Sequence, residues 1–101
     1  MKPKELRVIG ENTLITTEMI RLINQEFTQK LYRYFPNYLQ DIERARLTVS
    51  TSKGIGYALT LDMWFPEIGH TQTEVIKDSF YYAILDLWKR IERMAKQYPQ
   101  I

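Results

Sequence analysis

Asp78-Ser79-Phe80-Tyr81-Tyr82-Ala83-Ile84-Leu85-Asp86-Leu87-Trp88-Lys89-Arg90-Ile91-Glu92-Arg93-Met94-Ala95-Lys96-Gln97-Tyr98 is the stretch that decides the architecture. At 3.6 residues per turn, Phe80, Ile84, Leu87, Trp88, Ile91 and Ala95 fall on one side of a helix. Lys89, Arg93 and Lys96 fall opposite, with Arg90 on their flank. The segment is an amphipathic helix with a core face and a cationic face. A single apolar stripe needs a second layer to cover it, so the rest of the chain must supply a sheet or further helices. A basic outer face suits a polyanionic surface and weighs against an enzyme pocket, which requires polar groups converging in a concavity.

Upstream, residues 42–52 alternate, with Ala45, Leu47, Val49 and Thr51 on one face and Arg44, Arg46, Thr48 and Ser50 on the other. That period of two is a half-buried strand. Lys53-Gly54-Ile55-Gly56 is a loop, and Tyr57, Leu59, Leu61 and Met63 alternate with Ala58, Thr60 and Asp62 as an antiparallel partner. Trp64-Phe65-Pro66-Glu67-Ile68-Gly69 reads as a turn, and His70 to Ile76 as a last strand before the helix. Toward the N-terminus, Leu6 to Ile15 is a strand kinked near Gly10, followed by Thr16-Thr17-Glu18, a helix start with a capping residue and an early acid. Ile20, Ile23, Phe27, Leu31 and Tyr34 then recur at helical spacing, and the helix stops at Phe35 because Pro36 follows.

The order β-α-β-β-β-α predicts an α+β fold: a four-stranded sheet with both helices packed on one face. The opposite face presents Arg44, Arg46, Thr48, Thr60 and Asp62 and is expected to stay wet. With 101 residues and 45% hydrophobic content, the chain is long enough for one core and is read as one domain over 1–101.

Lys and Arg number 14 against 12 Asp and Glu, so a net charge of +2 establishes no nucleic-acid partner by itself and placement must carry the argument. The absence of cysteine excludes disulfides, thiol catalysis and thiolate metal sites. Neither a secretory leader nor a membrane-length apolar run is present, so a cytoplasmic protein with no membrane partner is expected. The sole histidine, His70, stands in a turn with no Ser, Cys or second His at a suggestive spacing. Gly54-Ile55-Gly56 lacks the remaining elements of a phosphate loop. No catalytic residue, metal ligand or cofactor is assigned, and the chain is read as not an enzyme.

The candidate binding residues are cations. Arg21, Lys30 and Arg33 lie off the core stripe of the first helix, and Lys89, Arg90, Arg93 and Lys96 off that of the last. Side by side they would form a groove that neutralises phosphates. The bland alternative is a solvated helix face balanced by Glu26, Asp86 and Glu92. Tyr32, Tyr81, Tyr82 and Tyr98 would stack on bases if exposed, whereas Trp88 is read as core. Met63 to Ile68 places large apolar residues in an expected loop, and Trp64, Phe65 and Ile68 there make a candidate homodimer or partner patch.

Several of these segments together resemble the ribosome hibernation promoting factor family, also called ribosome-associated translation inhibitors or sigma-54 modulation proteins. The residues concerned are Gly10-Glu11-Asn12 before Leu14-Ile15, Thr17-Glu18, Lys30-Leu31-Tyr32-Arg33-Tyr34-Phe35, Asp78, Tyr81-Tyr82-Ala83-Ile84, Arg90-Ile91-Glu92-Arg93, Lys96 and Tyr98. The resemblance runs from Val8 to Tyr98 and is to the short form, without the long form's dimerisation domain. It implies a β-α-β-β-β-α domain, similar in layout to double-stranded RNA-binding domains, with a stress-response, hibernation-type role: it would bind small-subunit ribosomal RNA and block the mRNA and tRNA channel. By that likeness Arg21, Lys30, Arg33, Arg90, Arg93 and Lys96 match commonly basic positions. The departures are Phe27 in place of a lysine, Leu85 in place of an aspartate, and Lys89 where an acid is common. The alternative is a divergent protein-interaction or homodimerisation module of the same fold without RNA binding.

Overall fold

The computed structural model describes residues 7–34, 45–52, 56–65 and 69–97. Strand β1 (Arg7–Glu11) leads into helix α1 (Thr17–Ile23), which continues through a π-helical turn (Asn24–Thr28) into α2 (Gln29–Tyr34). Strands β2 (Ala45–Ser52), β3 (Gly56–Phe65) and β4 (Gly69–Lys77) follow, and α3 (Phe80–Gln97) closes the chain. The expected α+β order is the observed one, with α1, the π turn and α2 forming one continuous rod.

The first helix begins where expected. Thr16 is extended, and its hydroxyl accepts a hydrogen bond from the Met19 N–H at 3.1 Å, satisfying one of the donors a helix start leaves open. The buried residues along the rod are Met19, Ile23, Phe27 and Leu31, together with Thr28. Their strict spacing of four would drift around a regular helix, which repeats every 3.6 residues. The π turn takes up the difference and keeps all four over the sheet. This places Met19, rather than the expected Ile20, on the core line, and it buries Phe27 completely. Thr28 closes the irregular turn: its hydroxyl lies 3.3 Å from both the Ile23 carbonyl and the Asn24 side-chain oxygen.

The sheet order is β1-β2-β3-β4. β1 runs parallel to β2, which requires the helical crossover between them, while β2, β3 and β4 form an antiparallel meander. In register, Leu47 faces Leu61 and Val49 faces Leu59, which in turn faces Val75. These side chains are buried against Ile23, Phe27, Leu31, Ala83, Ile84, Leu87 and Ile91, so both helices cover one face of the sheet.

Four expectations are corrected. Strand β1 ends at Glu11 instead of reaching Ile15, because Asn12 adopts φ 54 in the left-handed region and breaks the extended run, leaving Leu14 82% exposed. β3 extends through Phe65, so Trp64 and Phe65 belong to a strand rather than a turn; alternation sends Phe65 into the core at 3% exposure. Asp62, expected on a wet face, is only 3% exposed. Trp88, read as core, is half-buried, and Ala95 likewise. The expected strand residues 42–44, the Phe35 helix end, the loop 53–55, the segment Pro66 to Ile68, and Tyr98 lie outside the described residues.

Candidate nucleic-acid interface

α3 presents its apolar stripe to the sheet through Phe80, Ala83, Ile84, Leu87 and Ile91, all buried. Helical geometry then forces the intervening residues outward, and Lys89, Arg90, Arg93 and Lys96 are exposed. The rod formed by α1 and α2 lies alongside. Phe27 meets the Trp88 ring edge-on at 6.4 Å, and the Lys30 ammonium stands 5.5 Å from the centre of the same ring. Trp88 is therefore the seam between the helices, and Lys30 covers it.

The seven candidate cations divide by partner. The Arg21 guanidinium bonds the Glu18 carboxylate, its Nε 3.0 Å from Oε2, and Nη1 reaches Gln25 at 3.3 Å. That bidentate bond, with the adjacent positive charge, holds the Glu18 carboxyl below its ordinary value. Arg90 sits 3.5 Å from Asp86, and Lys96 sits 3.6 Å from Glu92, both at helical i,i+4 spacing. Such exposed pairs are weak and exchange readily for another anion. Among the described residues no carboxylate pairs with Lys30, Arg33, Lys89 or Arg93.

Position divides them again. Lys30 sits directly at the seam, and Arg33, three residues on, is exposed on the same rod. Lys89 follows Trp88 in sequence and is exposed beside it. Arg90 is turned about 200° around α3 from Trp88, on the flank away from the first helix. Of the acids expected to balance this face, Asp86 and Glu92 pair with Arg90 and Lys96, while Arg21 takes Glu18 rather than Glu26; among the described residues Lys30, Arg33, Lys89 and Arg93 have no carboxylate partner.

The open face of the sheet holds a cluster that pattern reading did not anticipate. Asp62 accepts a hydrogen bond from the Gln72 side-chain amide at 3.1 Å, and its Oδ1 lies 2.7 Å from His70 Nε2. Arg46 Nη2 is 3.5 Å from Oδ2. Burial pushes the Asp62 carboxyl up, but the bonds from His70 and Gln72 and the charge of Arg46 outweigh it and hold the group below its ordinary value. The Trp64 ring stacks on His70 at 5.0 Å and also carries Arg46 at 5.5 Å. Of the candidate dimer patch, Phe65 is core, Trp64 is stacked on His70 and still 37% exposed, and Ile68 lies outside the described residues. The signal for the cluster lies in the register that pairs Asp62 with Gln72 and Trp64 with His70, and register depends on a turn whose geometry the sequence leaves open.

Among the described residues no group of acids and histidines is arranged to hold a metal ion, and no helix is long and apolar enough to cross a membrane. The fold and the exposed cations together define a small α+β domain with a basic helical side. No protein-family model matches the chain, and no curated protein matches it. Among solved structures it is similar to the crystal structure of the Thermus thermophilus Protein Y N-terminal domain, with TM-score 0.64 and 21% identity over 91% of this chain and 94% of that one. At that identity the likeness establishes a common fold.

Proposed function

We propose that the chain is a non-enzymatic ribosome-associated factor of the hibernation type. It binds ribosomal RNA of the small subunit through the outer side of its two helices and obstructs the channel for mRNA and tRNA. The observation that carries this reading is the placement of Lys30, Arg33, Lys89 and Arg93, exposed or half-exposed on both helices and without carboxylate partners among the described residues. Arg21, Arg90 and Lys96 add cations whose carboxylate pairs a phosphate can displace. The family resemblance and the fold shared with the Protein Y domain support the same assignment. Binding by phosphate neutralisation needs no cofactor and weakens as salt rises, since each phosphate contact releases condensed counterions.

Co-sedimentation of the purified chain with small ribosomal subunits, across a salt series, tests the proposal. The chain is expected to travel with the subunit at low salt and to dissociate as salt increases. The combined variant Lys30→Glu, Arg33→Glu, Lys89→Glu, Arg93→Glu is expected to stay in the supernatant while keeping its circular dichroism spectrum. Failure of the unaltered chain to co-sediment at any salt overturns the assignment.

A further inference from the structure

Where β4 gives way to α3, Lys77, Asp78, Tyr82, Leu85, Asp86 and Lys89 line an open recess of about 390 Å³. That is within the size range of small-ligand sites, roughly 300 to 1,000 Å³. Its composition is unusual for a solvated helix face. Tyr82 is 60% exposed although its neighbours Ala83 and Ile84 are fully buried, so a large ring is held out of the core by helical phase. Tyr81 braces it edge-on at 5.9 Å. Leu85 adds an apolar wall that is half-buried.

The polar groups share the recess with the ring. Asp86 is engaged by Arg90, while Asp78, Lys77 and Lys89 have no ion-pair partner among the described residues. Tyr82, Lys89 and Lys96 recur every seven residues, so they drift by only about 20° per step along α3 and form one line on its outermost side. The ring is thus continuous with the cationic line rather than separate from it.

We infer that this recess takes one unpaired nucleotide of an RNA strand, with the base stacked on Tyr82 and the flanking phosphates held by Lys77 and Lys89. Asp78 is placed at the rim as an acceptor for a base N–H. This rests on the RNA-binding reading above and adds to it a preference for single-stranded nucleotides with intact bases. Every base has a π-face, so the site selects unstacked nucleotides over paired ones without selecting sequence. Two cations and an exposed aromatic ring lining one recess also match the combination found where single strands are bound through stacking and charge together.

The test uses the full chain and two labelled single strands with the same number of phosphates: a non-pairing RNA and its abasic counterpart. Fluorescence anisotropy is expected to show the base-bearing strand binding about tenfold more tightly, the size of one stacked base. Tyr82→Phe should keep that ratio and Tyr82→Ser should abolish it, with the salt slope unchanged in both. Lys77→Ala combined with Lys89→Ala should reduce the salt slope for both strands by about 1.4, the equivalent of two single-strand phosphates. Equal affinity for the two strands, a ratio that survives Tyr82→Ser, or binding to neither strand overturns the inference. Retained co-sedimentation with small subunits in any of those cases leaves the ribosome assignment standing, so the two failures are distinct.

Discussion

Lys30 lies across the face of Trp88, its ammonium 5.5 Å from the ring centre, so a cation of the first helix is fixed on an aromatic side chain of the last. The contact gives two helices from opposite ends of the chain a common edge and presents positive charge at that edge. It also separates packing from charge, because Trp88 supports the seam and Lys30 decorates it. Trp88→Leu is expected to lower unfolding free energy by about 1–3 kcal/mol in a denaturant titration, through lost contact with Phe27 and partial loss of a large buried surface. Lys30→Met should cost under about 1 kcal/mol while reducing the salt slope of subunit binding by roughly one phosphate contact.

Acid stability should depend on Asp62. Its carboxyl is held below the ordinary value in the folded chain, so folding favours the ionised form. The resulting stabilisation is complete above the unfolded value of about 3.9 and is lost as pH falls from there through the lower folded value. Urea unfolding between neutral pH and about pH 3 should therefore show a steeper acid loss for the natural chain than for Asp62→Asn. The variant should be less stable near neutrality by about 1–3 kcal/mol, since His70, Gln72 and Arg46 lose a charged acceptor. Parallel acid profiles would show that the cluster contributes no linkage.

Gly56 opens β3 with φ 136, a conformation that side chains rarely adopt, and a Cβ there would collide with the Lys77 carbonyl oxygen. Gly56→Ala is expected to cost about 1–3 kcal/mol from backbone strain, with the close approach of β4 adding to it. The shift in thermal midpoint measures it. A neutral substitution would mean that the chain relaxes at this strand end.

The π turn can be probed at Thr28, whose hydroxyl serves the Ile23 carbonyl within a buried environment. Thr28→Val preserves shape and removes the donor, so a loss of about 1 kcal/mol is expected from equilibrium unfolding. Faster exchange of amides between Asn24 and Thr28 would localise the effect.

Alternation and helical spacing disclosed the element order, the sheet's buried face and the stripe of α3, because those patterns follow from backbone periodicity alone. Ile20 shows the limit. Regular spacing put it on the core line with Ile23, Phe27 and Leu31, and Phe27 is indeed fully buried against Trp88, but Ile20 is half-buried and Met19 takes its place. The irregular turn sets which residues face the sheet, and only the strict spacing of Met19, Ile23, Phe27 and Leu31 hinted at that turn. Trp64 and Phe65, read as part of the turn that runs to Gly69, belong to the strand because pairing of Trp64 with His70 and Phe65 with Gly69 carries it further. The candidate cations were legible as a set, but which of them carry carboxylate partners depends on side-chain rotamers that spacing does not determine.

The widened turn at Asn24–Thr28 acts as a phase shifter. Each inserted residue rotates everything after it by about 100° relative to what precedes it. Arg21 lies before that twist, and Lys30 and Arg33 lie after it. Two proteins with identical cations in identical order, one carrying the defect and one without it, would therefore display them along different meridians. The placement of charge around this rod is set partly by the winding of the main chain.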